Sequence, residues 1–347
     1  MTPLRILHLS DGRPGHYHLA EGVIAALERL RKVDTTTLQI RRRRMVPVRY
    51  LRKLATADWC APDTLLSMGY GLDAGDISPA DLIVSSGGET LPANVAAKRI
   101  LGAANIFIGS RRNVAPEEFS LIVSSYARQA KTPRHLVTLK PSALDPDALG
   151  RPVHVPHYGM DRPPKLAGLL IGGDSGLFRY AEEEWHRLFA FAREVARAWG
   201  TRWLVSTSRR TPPAIAQAAF DLAKDKDVVA DFIDYKLAGP GTLSKIFSRA
   251  DVIVCSEDSS TMVSEAVWSR LPVVGVSPKT HSFKLEESEY RQMMLKNGWC
   301  RFLPIEDVSV ERFGKLLAEV KPLDENPLDR LAGQIRTRLP QLFTKPG

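Results

Sequence analysis

The sequence has few cysteines and no long apolar stretch. Its three cysteines, Cys60, Cys255 and Cys300, show no metal-ligand spacing and cannot all pair, which predicts a reduced intracellular protein without disulfides. The opening residues MTPLRILHLS enter a strand without a signal-peptide pattern, and no apolar run is long enough to span a bilayer. These absences argue against secreted and integral membrane proteins, and we expect a cytoplasmic location, with peripheral attachment to the inner face of the membrane left open.

What is present is typical of a soluble globular protein, with 44% hydrophobic and 25% charged residues. A chain of 347 residues exceeds the usual size of one domain, so we expect two. The net charge of +9 favours an anionic partner: a nucleotide, a phospholipid surface or a nucleic acid. Nucleic acid ranks lowest, because no recognised binding motif accompanies the charge.

The positive charge is densest between residues 41 and 53. Four arginines, Arg41 to Arg44, are followed by Arg49, Arg52 and Lys53, with apolar residues between them. This mixture suits a basic amphipathic segment that lies on an anionic membrane or grips a lipid-linked phosphate. A solvated basic face at the end of a strand would give the same pattern, and the sequence leaves both interpretations open.

Strand and helix patterns alternate along the chain, which predicts an α/β fold with parallel sheets and crossover helices. The predicted strands are 5–9, 36–40, 81–85, 106–108, 121–123, 136–139, 166–171, 203–206, 228–230, 251–255 and 272–276. The predicted helices are 15–30, 91–101, 180–199, 212–224, 242–249, a crossover helix between the last two strands, 284–297, 308–320 and 325–343.

The simplest architecture for this pattern is two Rossmann-like domains that face one another across a cleft. A proline-containing stretch at 154–165 without periodicity predicts the linker between them. We therefore expect an N-terminal domain at 1–160, a C-terminal domain at 161–330 and a helix and tail at 331–347 that packs back on the N-terminal domain.

The stretch 251–276 is the most informative, because it predicts a buried strand, a hydroxyl-rich turn, a helix and a second strand. The start of a helix presents unpaired N–H groups, so Ser259, Ser260 and Thr261 would either cap the helix or hold a phosphate. Glu265 follows on the same side as Thr261, where its carboxylate could accept hydrogen bonds from a ribose. Capping alone would explain these residues, but further glycine-containing turns favour a nucleotide site.

The first of those turns is Ser10–His16, directly after the first strand. Gly12 and Gly15 allow close backbone approach at a helix start, although the turn lacks the full GxGxxG fingerprint. Asp11 and His16 are candidates to take a proton from an acceptor hydroxyl. The alternative is structural: a turn residue for Asp11, and for His16 a helix-terminal residue bonded to a backbone carbonyl.

Three more turns, at 85–89, 171–176 and 206–212, each precede a predicted helix. The first two are rich in glycine and suit close approach of an acceptor and of a diphosphate, although the second is also compatible with an ordinary tight loop. The third places two arginines beside hydroxyl groups, where they would match a diphosphate or form structural ion pairs. The candidate residues are Gly87, Gly88 and Glu89 in the first, Gly172, Gly173 and Asp174 in the second, and Ser208, Arg209 and Arg210 in the third.

With these residues assembled, the chain resembles the mitochondrial-fission Elm family and, more broadly, the GT-B glycosyltransferases of the MurG type. The Elm-like motifs are SDGRPGH (10–16), IGGD (171–174), TSRRTP (207–212) and SEDSSTMVSEA (256–266). The MurG-like motifs are GRPGH, SSGGETLPANVAA, IGGDSG and DSSTMVSEAVWSRLPVVGV. The sequence departs from both patterns in its first loop, which carries Asp11 and Pro14 and continues with Tyr17-His18-Leu19 in place of the usual glutamine.

The resemblance implies a metal-independent GT-B glycosyltransferase that moves a sugar from a nucleotide diphosphate donor, expected to be a UDP-sugar, to a lipid-linked or envelope acceptor. It implies no cofactor beyond that co-substrate, and no DxD metal signature is present. The N-terminal domain would bind the acceptor, which His16 would face, and the C-terminal domain would bind the donor. Glu265 would bind the ribose, and Arg209 would stabilise the departing diphosphate.

Two other functions are compatible with the same motifs. One is a non-enzymatic membrane-surface adaptor that keeps the GT-B scaffold, as the resemblance to eukaryotic Elm proteins implies. The other is a sugar-nucleotide epimerase or hydrolase that uses the same donor site. Retention of glycine turns, paired arginines and Glu265 together favours an active nucleotide site over a pure scaffold.

Overall fold

The computed structural model describes residues 2–130, 132–150, 156–239 and 241–344. The chain divides into two compact units: residues 1–143 with 327–347 form the first unit, and residues 144–326 form the second. Residues 144–150 and 156–160, expected in the N-terminal domain, therefore belong to the second unit. The predicted linker begins within residues 151–155, which lie outside the described residues, and 156–165 contain neither helix nor strand.

The first unit is a six-stranded parallel sheet with helices. Its strands pair in the order β2-β1-β3-β4-β5-β6. The strands are β1 Leu4–Ser10, β2 Val33–Gln39, β3 Leu82–Ser86, β4 Ala104–Ile108, β5 Leu121–Ser124 and β6 His135–Val137, and the helices are α1 Pro14–Glu28, α2 Val48–Ala55, α3 Pro62–Tyr70 and α4 Leu91–Leu101.

The second unit contains another six-stranded parallel sheet, with the order β10-β9-β7-β11-β12-β14, and a short antiparallel pair of β8 with β13. The strands are β7 Leu166–Leu170, β8 Phe178–Arg179, β9 Arg202–Ser206, β10 Val229–Ile233, β11 Val252–Ser256, β12 Val273–Ser277, β13 Thr280–His281 and β14 Cys300–Pro304. The helices are α5 Glu182–Trp199, α6 Pro213–Leu222, α7 Tyr235–Ala238, α8 Leu243–Phe247, α9 Ser260–Trp268, α10 Leu285–Lys296 and α11 Val310–Glu319.

The last helix, α12 Pro327–Arg338, returns to the first unit and contacts α1. Its inward positions Leu331 and Ile335 are buried, and Asp329 forms a salt bridge with Arg29 at the end of α1 (Nε–Oδ1 2.7 Å). Burial of the apolar stripe stabilises this docking, since an exposed pair such as Arg29–Asp329 adds about 0–1 kcal/mol.

The order of the strands decides where each sheet can bind a ligand. In the first unit, β2 lies on one side of β1, and β3 with the strands after it lies on the other side, so the strand order reverses between β1 and β3. In the second unit, the strand order reverses in the same way between β7 and β11. Loops after two such strands diverge, which leaves a crevice at their carboxyl ends. The turns predicted at 10–16 and 85–89 flank the first crevice, and those at 171–176 and 257–261 flank the second.

Among the described helices and strands, six escape the sequence prediction: α2, α3, α7, β8, β13 and β14. Helix α2 buries only Leu51, Leu54 and Ala55, so its apolar stripe is short among basic residues. Within the described residues, no helix is both long and apolar enough to cross a bilayer.

All three cysteines are buried, at 4% exposure for Cys60 and 0% for Cys255 and Cys300. Burial raises the pKa of the Cys300 thiol to about 12, and that of Cys255 rises as well, mainly for the same reason. We therefore expect none of the thiols to react with Ellman's reagent in the native protein at about pH 8, and all three to react after unfolding in guanidinium. Rapid reaction of one native thiol would contradict this burial.

Candidate functional site

The crevice of the first unit contains a hydrogen-bonded acid and imidazole. Asp11 directly follows β1, and its Oδ1 accepts a hydrogen bond from the backbone N–H of Arg13 (3.1 Å). Its Oδ2 lies 2.8 Å from Nδ1 of His16, which stands in the first turn of α1. The Asp11 side chain is 4% exposed and that of His16 31% exposed. The two candidates named from sequence thus bond to each other, with a buried acid orienting a ring that reaches solvent, and Asp11 also fills the turn role that was its alternative.

The loop after β3 fits closely around this imidazole. Gly87 has a φ of +95°, and a Cβ at this position would overlap the His16 ring. Glycine is required here on both counts, because only it adopts this conformation easily and leaves the space. Gly12 lies in the loop between β1 and α1 and Gly15 in the first turn of α1, while Gly88 follows Gly87 with open space beside it.

Glu89 lies in the same loop between two guanidinium groups. Its Oε1 is 3.4 Å from Nη2 of Arg13 and 3.6 Å from Nη2 of Arg42, and its backbone carbonyl accepts a hydrogen bond from the Tyr70 hydroxyl (2.7 Å). Burial raises the pKa of Tyr70, which keeps its hydroxyl a neutral donor. Sequence reasoning missed the contacts of Arg13, Arg42 and Tyr70 with this loop, because no local spacing links three separate segments to Glu89.

In the second unit, an ion pair between a buried acid and a half-buried arginine joins the loops after β7, β9 and β11. The Asp258 side chain is fully buried; it forms a salt bridge with Arg210 and accepts a hydrogen bond from the Tyr180 hydroxyl (3.4 Å). A Cβ on Gly172 would overlap the Asp258 carboxylate, and one on Gly173 would overlap the Arg210 carbonyl. The two glycines thus make room for protein groups, and Arg210 takes the structural role that the sequence left open.

Hydroxyl groups complete this network. The Gly172 N–H donates to Oγ of Ser256 (2.8 Å), and the Thr211 hydroxyl contacts the carbonyls of Ile171 (2.9 Å) and Gly172 (2.7 Å). Ser256 and Thr211 lie within motifs noted in the sequence but were not assigned to the site. These bonds fix the backbone at the carboxyl ends of adjacent strands.

Helix α9 begins at Ser260 with Ser259 as its cap, since Oγ of Ser259 accepts a hydrogen bond from the Met262 N–H (3.3 Å). Capping therefore accounts for Ser259. Thr261 is exposed, whereas Ser260 and Glu265 are half-buried. Both Thr261 and Glu265 lie on α9 itself, one helical turn apart, as the spacing predicts.

The remaining predicted donor residues lie in the loops after β7 and β9. Asp174 is exposed, and its Oδ1 accepts a hydrogen bond from the Tyr180 N–H within its own loop (3.0 Å). Oγ of Ser208 accepts a hydrogen bond from the Arg210 N–H (3.2 Å). Arg209 is exposed and has no ion pair within the described part of the chain, so its guanidinium is available to an anion.

Glu257, which follows β11, is a second buried acid. Its side chain is 2% exposed and forms a salt bridge with Arg291 on α10 (Nε–Oε2 3.1 Å). The Arg291 guanidinium carbon lies 4.0 Å from the centroid of the Phe302 ring. Burial raises the pKa of Glu257, and Arg291 opposes that rise. The pair places a cation beside Glu257, the first residue of the loop that leads to α9.

Both units are α/β sheets of the Rossmann type, and the chain matches the family model described as Mitochondrial fission ELM1 over residues 14–339. The chain therefore belongs to this family. No curated protein matches it by sequence.

Solved structures of low sequence identity share the fold. A Listeria monocytogenes protein assigned as a UDP-N-acetylglucosamine 2-epimerase has a TM-score of 0.57 at 10% identity, covering 99% of this chain and 98% of that one. MurG of Acinetobacter baumannii has a TM-score of 0.50 at 12% identity, with coverages of 96% and 100%. MnaA of S. aureus, solved with UDP, has a TM-score of 0.50 at 10% identity, with coverages of 100% and 99%. The predicted GT-B fold with two Rossmann-like domains is confirmed.

The Glu257–Arg291 pair predicts a pH-dependent stability. A carboxyl group whose pKa is raised in the folded state stabilises the fold below its unfolded pKa, and this contribution is lost as pH rises through the folded pKa. Arg291→Gln removes the group that limits the rise in the Glu257 pKa. We expect the variant to lose about 1–3 kcal/mol of unfolding free energy at about pH 8 and less at about pH 5, measured by urea unfolding.

Arg301→Gln is the matched control, because it breaks the Arg301–Glu319 pair, in which the Glu319 side chain is 57% exposed. Its smaller loss should vary little with pH, since Glu319 stays hydrated. A pH-independent loss in Arg291→Gln would contradict the assignment of the pH effect to Glu257.

Proposed function

We propose that this protein is a metal-independent transferase that moves a sugar from a nucleotide diphosphate, with UDP as the expected nucleotide, to a lipid-linked or envelope acceptor. It would act in the cytoplasm at the inner face of the membrane, with the nucleotide sugar as co-substrate and no further cofactor. The observation that carries the proposal is the hydrogen bond between Asp11 and His16 at the strand-order reversal of the first unit. The second unit presents its own loops at the equivalent reversal.

The donor would bind at the start of α9. Amides of the first helical turn and the hydroxyls of Ser260 and Thr261 would meet the diphosphate, which the positive end of the helix dipole favours. Glu265, one turn further along, would accept hydrogen bonds from the ribose. Arg209 is the arginine positioned to neutralise the leaving group, because Arg210 already balances Asp258.

The acceptor would bind beside His16 in the first unit. Since Nδ1 of His16 is engaged by Asp11, Nε2 is the nitrogen left to take a proton. The acceptor oxygen attacks the anomeric carbon of the sugar while the bond from that carbon to the diphosphate oxygen breaks. The acceptor proton moves to Nε2, and the bonding electrons leave with the nucleotide diphosphate.

The structural matches support this donor chemistry and also carry a second candidate. MurG and UDP-bound MnaA share the fold, and so does the Listeria protein assigned as a sugar-nucleotide epimerase. An epimerase or hydrolase would use the same donor loops, so the products must separate the two candidates.

The donor site is tested by isothermal titration with UDP. Glu265→Ala should weaken binding roughly 10- to 100-fold, because a hydrogen bond to a charged group contributes about 1.5–3 kcal/mol. Glu311→Ala on α11 removes the same charge from an exposed surface pair and should leave the affinity unchanged. Equal affinity in Glu265→Ala would remove the ribose assignment, and absence of UDP binding to the parent protein would favour the adaptor.

Catalysis is tested by thin-layer analysis of labelled UDP-sugars incubated with protein and a bacterial membrane lipid extract. His16→Ala should lower turnover roughly 10²- to 10⁴-fold without changing UDP affinity. His18→Ala is the matched control, since His18 lies on the same helix and pairs with Glu21 at the surface (2.9 Å). Sugar transfer to lipid supports the transferase; a new sugar nucleotide or free sugar would identify an epimerase or hydrolase instead.

A further inference from the structure

Large apolar side chains are exposed within one segment of the first unit. Met45 is 91% exposed, Trp59 80% and Tyr50 53%, and Met68 on α3 is 37% exposed. Within the described residues of the first unit, every large hydrophobic side chain that is exposed lies between positions 45 and 68. Exposed apolar groups concentrated in one segment mark an interaction surface more often than scattered ones do.

The segment is folded against its own unit, so this exposure does not come from a loose chain. Leu51 and Leu54 of α2 are buried, and the Leu51 side chain packs against Gly69 of α3, where a Cβ would lie 2.9 Å from it. The Arg43 N–H donates to the carbonyl of Gly69 (2.7 Å). The outward face of α2 is therefore fixed, and it carries Arg49, Tyr50 and Lys53.

Basic side chains surround these apolar groups. Arg44, Arg49 and Lys53 are exposed, and none of them has a salt bridge within the part of the chain that the structure describes. Arg42, in contrast, points to Glu89 and is 21% exposed. Asp58, next to Trp59, is an exposed acid, but the exposed basic residues leave the segment with net positive charge. Net positive charge beside aromatic and thioether groups is the composition of a membrane-surface segment.

We propose that a docking patch formed by Arg44, Met45, Arg49, Tyr50, Lys53 and Trp59 binds the surface of an anionic lipid bilayer. Tyr50 and Trp59 would enter the headgroup region, where an amphipathic ring is favoured, and the basic residues would meet lipid phosphates. A protein interface would be depleted of lysine at its centre, and a second copy would bring like charges together. An anionic bilayer is the occupant that fits both the charge and the apolar groups.

The patch lies on the same unit as the Asp11–His16 pair, and the arginine run connects it to the candidate acceptor loop. Arg42 contacts Glu89 in that loop, and Arg44 belongs to the patch only two positions later. A protein docked here would receive an acceptor that stays anchored in the bilayer, which rests on the proposed function and deepens it by selecting the lipid-linked acceptor. Membrane binding itself does not rest on sugar transfer, so the two can be tested separately.

Sedimentation of the full chain with vesicles tests the patch. We expect binding to vesicles of phosphatidylglycerol with phosphatidylcholine and little binding to phosphatidylcholine alone. The double variant Arg49→Glu with Lys53→Glu should bind the anionic vesicles at least roughly 10-fold more weakly. The matched control is Arg193→Glu with Arg197→Glu, two exposed residues of α5 with the same spacing and charge change, which should bind like the parent.

Tryptophan fluorescence reports insertion directly. Trp59 is the exposed residue among the six tryptophans, the others being buried or half-buried. Brominated lipids in the anionic vesicles should quench the parent protein, and Trp59→Phe should abolish the vesicle-dependent quenching while retaining the parent unfolding temperature. Met45→Ser should weaken binding, whereas Leu237→Ser, at an 88% exposed position of the second unit, should not.

Several outcomes would overturn the patch. One is equal binding to both vesicle types, and another is an equal loss of vesicle binding in the two charge variants. A third is quenching that survives Trp59→Phe. The last is a dimer in sedimentation velocity that becomes a monomer in the Arg49→Glu with Lys53→Glu variant. UDP titration of the same variants separates this proposal from the donor site. Patch variants that lose vesicles but keep UDP support the patch, whereas a parent that binds vesicles but not UDP would refute the donor site alone.

Discussion

The Asp258 carboxylate is the constraint around which the candidate donor site is built. A fully buried acid is stable in its charged form only when it is paired and hydrogen-bonded, and Arg210 and the Tyr180 hydroxyl supply those partners. The pair requires glycine at position 172, since any larger residue would overlap the carboxylate. A single buried charge therefore sets the backbone course of the loops after three neighbouring strands, and with it the direction in which their amides point.

The first unit uses the same arrangement with different chemistry. Asp11, like Asp258, is a nearly inaccessible acid that follows a strand at the point where the strand order reverses. Its basic partner is an imidazole, and Gly87 in the loop of the adjacent strand leaves room for that partner. An arginine locks the loops of the second unit permanently, whereas a histidine can gain and lose a proton. The difference in partner is consistent with the proposed roles, fixed donor binding in the second unit and proton transfer in the first.

Sequence reasoning succeeded where the signal is local and missed what depends on strand order. The helix at 91–101 and most strands were predicted within one to three residues, because apolar runs bounded by turns are local signals. The Asp11–His16 pair was predicted as two candidates from one loop. The contact between Asp258 and Arg210 was not predicted, because it depends on β9, β7 and β11 being neighbours in the sheet. Gly172 was predicted to approach a ligand, whereas in the structure the Asp258 side chain occupies the space that a Cβ at position 172 would fill.

Neighbouring arginines in the two basic motifs divide their roles in the same way. In the first motif Arg42 pairs with Glu89 and Arg44 is exposed; in the second Arg210 pairs with Asp258 and Arg209 is exposed. What separates the members is whether a carboxylate lies within reach, which sequence proximity does not specify. Because an arginine remains charged in any surroundings, the paired member fixes a loop and the exposed member presents its charge to an anion. A basic run of this kind therefore combines an internal tether with an external contact, so a function assigned to the run as a whole must be resolved residue by residue.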